Sequence, residues 1–105
     1  MQIQVNTDKN IEGHEELVAQ VEATITKSLS HFKTHITRVE VHLSDENGDK
    51  NSHNDKRCIM EARLEGRQPI AVTCQALTPA QAVAGAADKI KSALESTVGR
   101  RGEHR

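Results

Sequence analysis

The side chains able to do chemistry in this 105-residue chain are six histidines, two cysteines and scattered Ser, Asp and Glu. Metal ligation is the first chemistry to test. His31 and His35 stand four apart, the spacing that puts two imidazoles on one helix face. The helical pattern ends between them and no third ligand is near, so the pair reads as solvating a helix end. Cys58 and Cys74 straddle the turn at Gly66 and fall on the inward faces of adjacent antiparallel strands, which makes them cross-strand neighbours. They read as reduced thiols filling small core positions. Nucleophilic catalysis has no better footing. Ser, His and Asp cluster in the polar stretch 45–55 or on exposed faces, there is no Gly-x-Ser-x-Gly elbow, and the glycines are scattered singly rather than gathered into a phosphate loop. Glu40 and Glu61 read as cross-strand partners of Arg38, Arg57 or Arg63 rather than as an acid/base pair. No constellation meets the first conditions of an active site. The expectation is a protein that is not an enzyme and carries no metal and no cofactor.

Binding remains. Lys89, Lys91, Arg100 and Arg101 are placed to meet phosphate, which positions a protein without reading sequence. A solvated helix face is the plainer account of the two lysines. Charge is uneven along the chain. Residues 1–55 hold five Lys and Arg against ten Asp and Glu, a net of −5, whereas residues 56–105 hold nine against five, a net of +4. A chain divided in this way can present a cationic end to a polyanion. Phe32 is the lone aromatic residue, with no Trp or Tyr. Modules that grip single strands stack bases on aromatic rings, so that class is excluded, and structured RNA read by shape is the compatible target.

The elements that must position these residues follow from periodicity. In Thr78–Val98, Val83, Ala87, Ile90, Leu94 and Val98 recur at helical spacing. Thr78 suits the N-cap, Pro79 the first turn, Gln81 the reciprocal place of a capping box, and Gly99 the stop. A second helix is predicted from about His14 to Phe32, with Leu17, Val21, Ile25, Leu29 and Phe32 on one face. Acidic Glu15 and Glu16 sit at its start, and His31, Lys33 and His35 at its end, as the helix dipole favours. Alternation predicts strands over 2–6, 37–44, 56–65 and 70–76. The stretch 45–55 has no apolar residue and reads as a solvated loop, and 65–69 as a turn.

The order is β-α-β-β-β-α. A helical crossover makes the first two strands parallel, and the later strands form an antiparallel meander. Each strand has one apolar face. The expected fold is therefore α+β, a four-stranded mixed sheet with two helices packed on one face, a core like that of double-stranded RNA-binding domains. The other face, with Gln4, Arg38, His42, Arg57, Arg63, Thr73 and Gln75, stays wet. Residues 1–98 make a single domain and 99–105 a frayed basic tail. No apolar run is long enough for a membrane span and no secretory signal opens the chain, so the expected location is cytoplasmic, away from membranes.

The chain resembles the ribosome hibernation-promoting and ribosome-associated inhibitor family of bacteria. The likeness is carried by Met1-Gln2-Ile3, Asn10-Ile11-Glu12, the amphipathic helix ending near Phe32, Val39-Glu40-Val41-His42-Leu43, and Ala82-Val83 with Asp88-Lys89-Ile90. It runs from Met1 to about Val98, and its order and spacing persuade more than any one motif. The resemblance implies a β-α-β-β-β-α fold and a stress factor that binds the small ribosomal subunit in the mRNA and tRNA channel, with no DNA partner. It implies ribosomal RNA contacts from basic residues of the two helices. Here these are Lys27, Lys33, Lys89 and Lys91, with Arg100 and Arg101 in the tail. Several family positions differ. Ser92 stands where Arg is frequent, Glu95-Ser96-Thr97-Val98 where lysines are usual, Gln20 and Thr24 where basic residues are common, and Ala80 in place of an aromatic. The chain reads as a short form, without the C-terminal dimerisation domain of the long members, and its oligomeric state is left open. The alternative is a protein-interaction module that keeps the fold and has lost the RNA surface.

Overall fold

The computed structural model describes residues 1–8, 11, 14–45 and 56–99, with the backbone alone at His14, Val98 and Gly99. Strand β1 (Gln2–Thr7) leads into helix α1 (His14–Ser28), then come β2 (Ile36–Asp45), β3 (Lys56–Leu64), β4 (Ile70–Ala76) and helix α2 (Pro79–Leu94). The sheet order is β1-β2-β3-β4, with β1 parallel to β2 and the other two pairings antiparallel. The expected architecture is the one the chain adopts.

One face of the sheet is the core. Val39, Val41 and Leu43 from β2 and Cys58, Met60, Ala62 and Leu64 from β3 are buried there, beneath Leu17, Val21 and Ile25 of α1 and Ala82, Val83, Ala86, Ala87, Ile90 and Leu94 of α2. The outer strands are less covered, since Ile3, Val5, Ile70, Val72, Cys74 and Ala76 pack against this core only partly buried. Two helices cannot fully roof four strands.

Several boundaries differ from the expectation for identifiable reasons. α1 ends at Ser28, not Phe32, and Ser30–Phe32 form a separate 3-10 turn. The tighter turn still delivers Phe32 to the core. α2 passes into a π turn over Glu95–Gly99. Asp45 was expected in a solvated loop. It instead ends β2, buried, with its carboxylate 3.4 Å from Lys56 Nζ and opposite Lys56 in the register. Its N–H donates to Asp8 Oδ2 at 3.2 Å. Charge pairing across the strand ends thus overrides local polarity. Residues 46–55 lie outside the described set. Ile11, just past β1, joins the core, and its N–H closes a turn onto the Asp8 carbonyl at 3.2 Å. Gly66 takes φ +74°, the left-handed conformation that glycine adopts without penalty, and so allows the β3–β4 turn.

Candidate nucleic-acid interface

The candidate cations are positioned by the two helices. In α2, Thr78 caps the N-terminus, its Oγ1 accepting from Gln81 N at 3.1 Å, and Pro79 starts the helix. At ~100° per residue, Lys89 and Lys91 are carried to opposite flanks. Lys89 lies seven and three residues after buried Ala82 and Ala86 and borders the sheet. Its Nζ donates to the Thr73 carbonyl of β4 at 2.7 Å. Lys91 is half-buried and lies four residues after Ala87, on the flank that faces α1.

Between the helices is a groove of about 410 Å³ lined by Leu17, Gln20, Val21, Ala23, Thr24, Ala80 and Val83. Lys27 follows Gln20, Ala23 and Thr24 by seven, four and three residues, so it continues the groove side of α1. Helical geometry therefore puts Lys27 and Lys91 on the sides of α1 and α2 that run on beyond this groove, and Lys89 on the other flank of α2. Lys33 is exposed in the turn after the 3-10 segment. Arg100 and Arg101 lie outside the described residues. The four described cations do not form one patch: Lys27 and Lys91 share the inter-helix side, Lys89 borders β4 and Lys33 lies in the turn. α1 carries Glu15, Glu16 and Glu22 against Lys27, and α2 carries Asp88 against Lys89 and Lys91, so the helices bring no excess of positive charge.

The open sheet face has a charge pattern of its own. The register lines up Arg38 with Arg63, Glu40 with Glu61, and Ser44 with Arg57. Directly opposed like charges repel, and the diagonals relieve them. Glu40 gathers Arg38 Nε at 3.2 Å, Arg63 Nη2 at 3.7 Å and His42 Nε2 at 3.9 Å, and Arg63 Nε also reaches Glu61 Oε1 at 3.3 Å. Arg38 donates further to Gln4 Oε1 on β1. Of these ion pairs only Arg63–Glu40 crosses between strands as alternation predicts, while Arg38–Glu40, His42–Glu40 and Arg63–Glu61 join residues two apart on one strand. Such exposed pairs are worth ~0–1 kcal/mol each.

The other candidates are equally placed. His31 lies in the 3-10 turn and His35 beyond it, so the continuous helix that an i, i+4 ligand pair needs is missing there. Among the described residues, no group of three or more His, Cys, Asp and Glu is arranged to hold a metal ion. Cys58 and Cys74 are direct cross-strand partners, as their positions about Gly66 implied, and both are free thiols. Burial pushes the Cys58 thiol up to about 12, with Cys74 adding to the effect. Two things escaped the sequence reading. The Lys89–Thr73 tie was signalled only by the position of Lys89 at the border of the apolar stripe, and the contact of Gly85 with the Cys74 sulfur had no local signal.

A small α+β domain, with one sheet face roofed by two helices and the other open and polar, is the class of protein that fold and surface define. The chain belongs to the family described as Sigma 54 modulation protein / S30EA ribosomal protein, whose pattern matches residues 3–101. Among solved structures, it is similar to the N-terminal domain of Thermus thermophilus Protein Y, at 17% identity and a TM-score of 0.72, over 91% of this chain and 98% of that one. It is similar also to a ribosomal subunit interface protein from Coxiella burnetii, at 13% identity and a TM-score of 0.75, over 94% of this chain and 99% of that one. At such identities the likeness establishes the fold. No curated protein matches the chain.

Proposed function

We propose that this protein is a non-enzymatic, ribosome-associated factor of the cytoplasm. It binds the small ribosomal subunit through structured ribosomal RNA and holds idle ribosomes inactive under stress. Membership of the S30EA family over nearly the whole chain is the observation that carries this reading. The names of the two similar structures, a Protein Y domain and a ribosomal subunit interface protein, support it. Lys27, Lys33, Lys89, Lys91, Arg100 and Arg101 are the proposed phosphate contacts, and the near-absence of aromatic residues favours folded RNA over single strands.

Co-sedimentation of the protein with ribosomes from stationary-phase extract tests the reading. Binding to small subunits or whole ribosomes is expected, falling steeply as salt rises because RNA contacts release counterions. Protein that stays at the top of the gradient even at low salt overturns it. A second reading rests on the scattered lysines and the acidic residues of the helices. Here the domain is a protein-interaction module, and a ribonuclease-insensitive complex with a single protein partner distinguishes it from the first.

A further inference from the structure

Cys58 and Cys74 are direct register partners across β3 and β4. The ladder shows which kind of pair they form. The Leu43 carbonyl accepts from Asp8 N, so Leu43 turns its backbone polar groups towards β1. Alternation then turns His42 towards β3, its partner Ile59 back towards β2, and Cys58 towards β4. At the far side of β4, the Thr73 carbonyl is taken by Lys89, which agrees with Thr73 pointing away from β3 and Cys74 pointing towards it. Cys58 and Cys74 are therefore a hydrogen-bonded pair, whose Cα atoms stand ~5.5 Å apart, within the range that a disulfide spans.

The two thiols are not equivalent. Cys58 is fully buried, whereas Cys74 is half-buried on an edge strand. The Cys74 sulfur sits over Gly85 of α2, where a Cβ would press into it. The helix thus leaves room for the sulfur at this point. We propose that Cys58 and Cys74 form a modification site, a cross-strand dithiol that a hydroperoxide oxidises to an intramolecular disulfide. Cys74, the reachable thiol, attacks the peroxide oxygen. An S–O bond forms, the O–O bond breaks, and the Cys74 proton passes to the departing oxygen, leaving an alcohol or water. The Cys58 sulfur then displaces hydroxide from the Cys74 sulfur. The S–S bond forms, the S–O bond breaks, and the Cys58 proton leaves with the hydroxide as water. Two thiols lose two electrons and one peroxide bond takes them up. Burial, which disfavours the Cys58 thiolate, slows the second step. This inference stands apart from the ribosome reading.

Exposure of the reduced full-length protein to hydrogen peroxide, followed by unfolding in the presence of N-ethylmaleimide, tests it. Mass spectrometry should show a monomer lighter by two hydrogens, free of alkyl adducts, with one Cys58–Cys74 peptide pair, and dithiothreitol should restore both thiols. In Cys58→Ala, Cys74 should stop at a sulfenic acid that dimedone traps. In Cys74→Ala, Cys58 should remain a thiol after the same exposure, with the fold confirmed by circular dichroism. Overturning results are both thiols alkylated after peroxide, Cys74 carried to sulfinic acid with Cys58 still alkylated, or a disulfide between two chains.

Discussion

Gly85 and Cys74 show how a single residue can be constrained from another element. A glycine inside a helix costs ~1 kcal/mol relative to alanine, so Gly85→Ala should stabilise α2 on propensity alone. The added Cβ would meet the Cys74 sulfur, which must then rotate away. The expected outcome is a substitution with no net gain, or a loss, in the native background and a gain of ~0.5–1 kcal/mol in Cys74→Ala. A double-mutant cycle by urea unfolding reads the difference. Cys58 offers a pH test. Its folded pKa lies above the usual 9.0, at about 12, because burial disfavours the thiolate. Below pH 9 both folded and unfolded chains keep the proton and the stability is fully present. As pH rises past 9.0 the unfolded chain ionises while the folded one does not, so stability falls until about 12. Urea melts at pH 8 and pH 10 should show a loss of roughly 1.4 kcal/mol that Cys58→Ala lacks.

At the scale of elements, α2 is held at its start by one side-chain bond and along its length by apolar packing. Thr78→Ala removes the acceptor for Gln81 N and should lower stability by ~1 kcal/mol, read as a lower melting temperature without change of fold by circular dichroism. The lysines of α2 should separate in their effects. Lys89→Ala loses the tie to β4 and uncovers a carbonyl on an edge strand, which invites pairing with other chains. It should cost ~0.5–1.5 kcal/mol in unfolding experiments. Lys91→Ala, on the groove flank, should leave stability nearly unchanged. If the ribosome reading holds, it should lower the slope of log affinity against log salt by roughly 0.7–0.9. An unaltered slope would remove Lys91 from the interface.

At the scale of the whole molecule, the sheet interleaves the described residues of the acidic and the basic half. β2 from the acidic half lies against β3 from the basic half. Arg63 therefore meets Glu40, and Lys56 meets Asp45. On the ribosome reading, binding should weaken sharply when Lys27 and Lys91 are both reversed to Glu. Co-sedimentation at two salt concentrations measures that loss.

Sequence alone determined the strand and helix order, the inward and outward alternation of every strand, the α2 cap and the Cys58–Cys74 pairing. These depend on local periodicity and on short connections, which neighbouring residues carry. It also supplied the family likeness through ordered, spaced positions along almost the entire chain. Tertiary structure decided the rest. It shortened α1 to let Phe32 turn into the core, buried Asp45 by giving it Lys56, and drew Ile11 beneath the helices. It also split the candidate cations, because residues two apart on a helix leave on opposite flanks, and only the neighbours of each flank determine which meets a sheet edge and which a groove. The Cys74 sulfur lodged against Gly85 belongs to the same kind, a contact between β4 and α2 that no window of sequence contains.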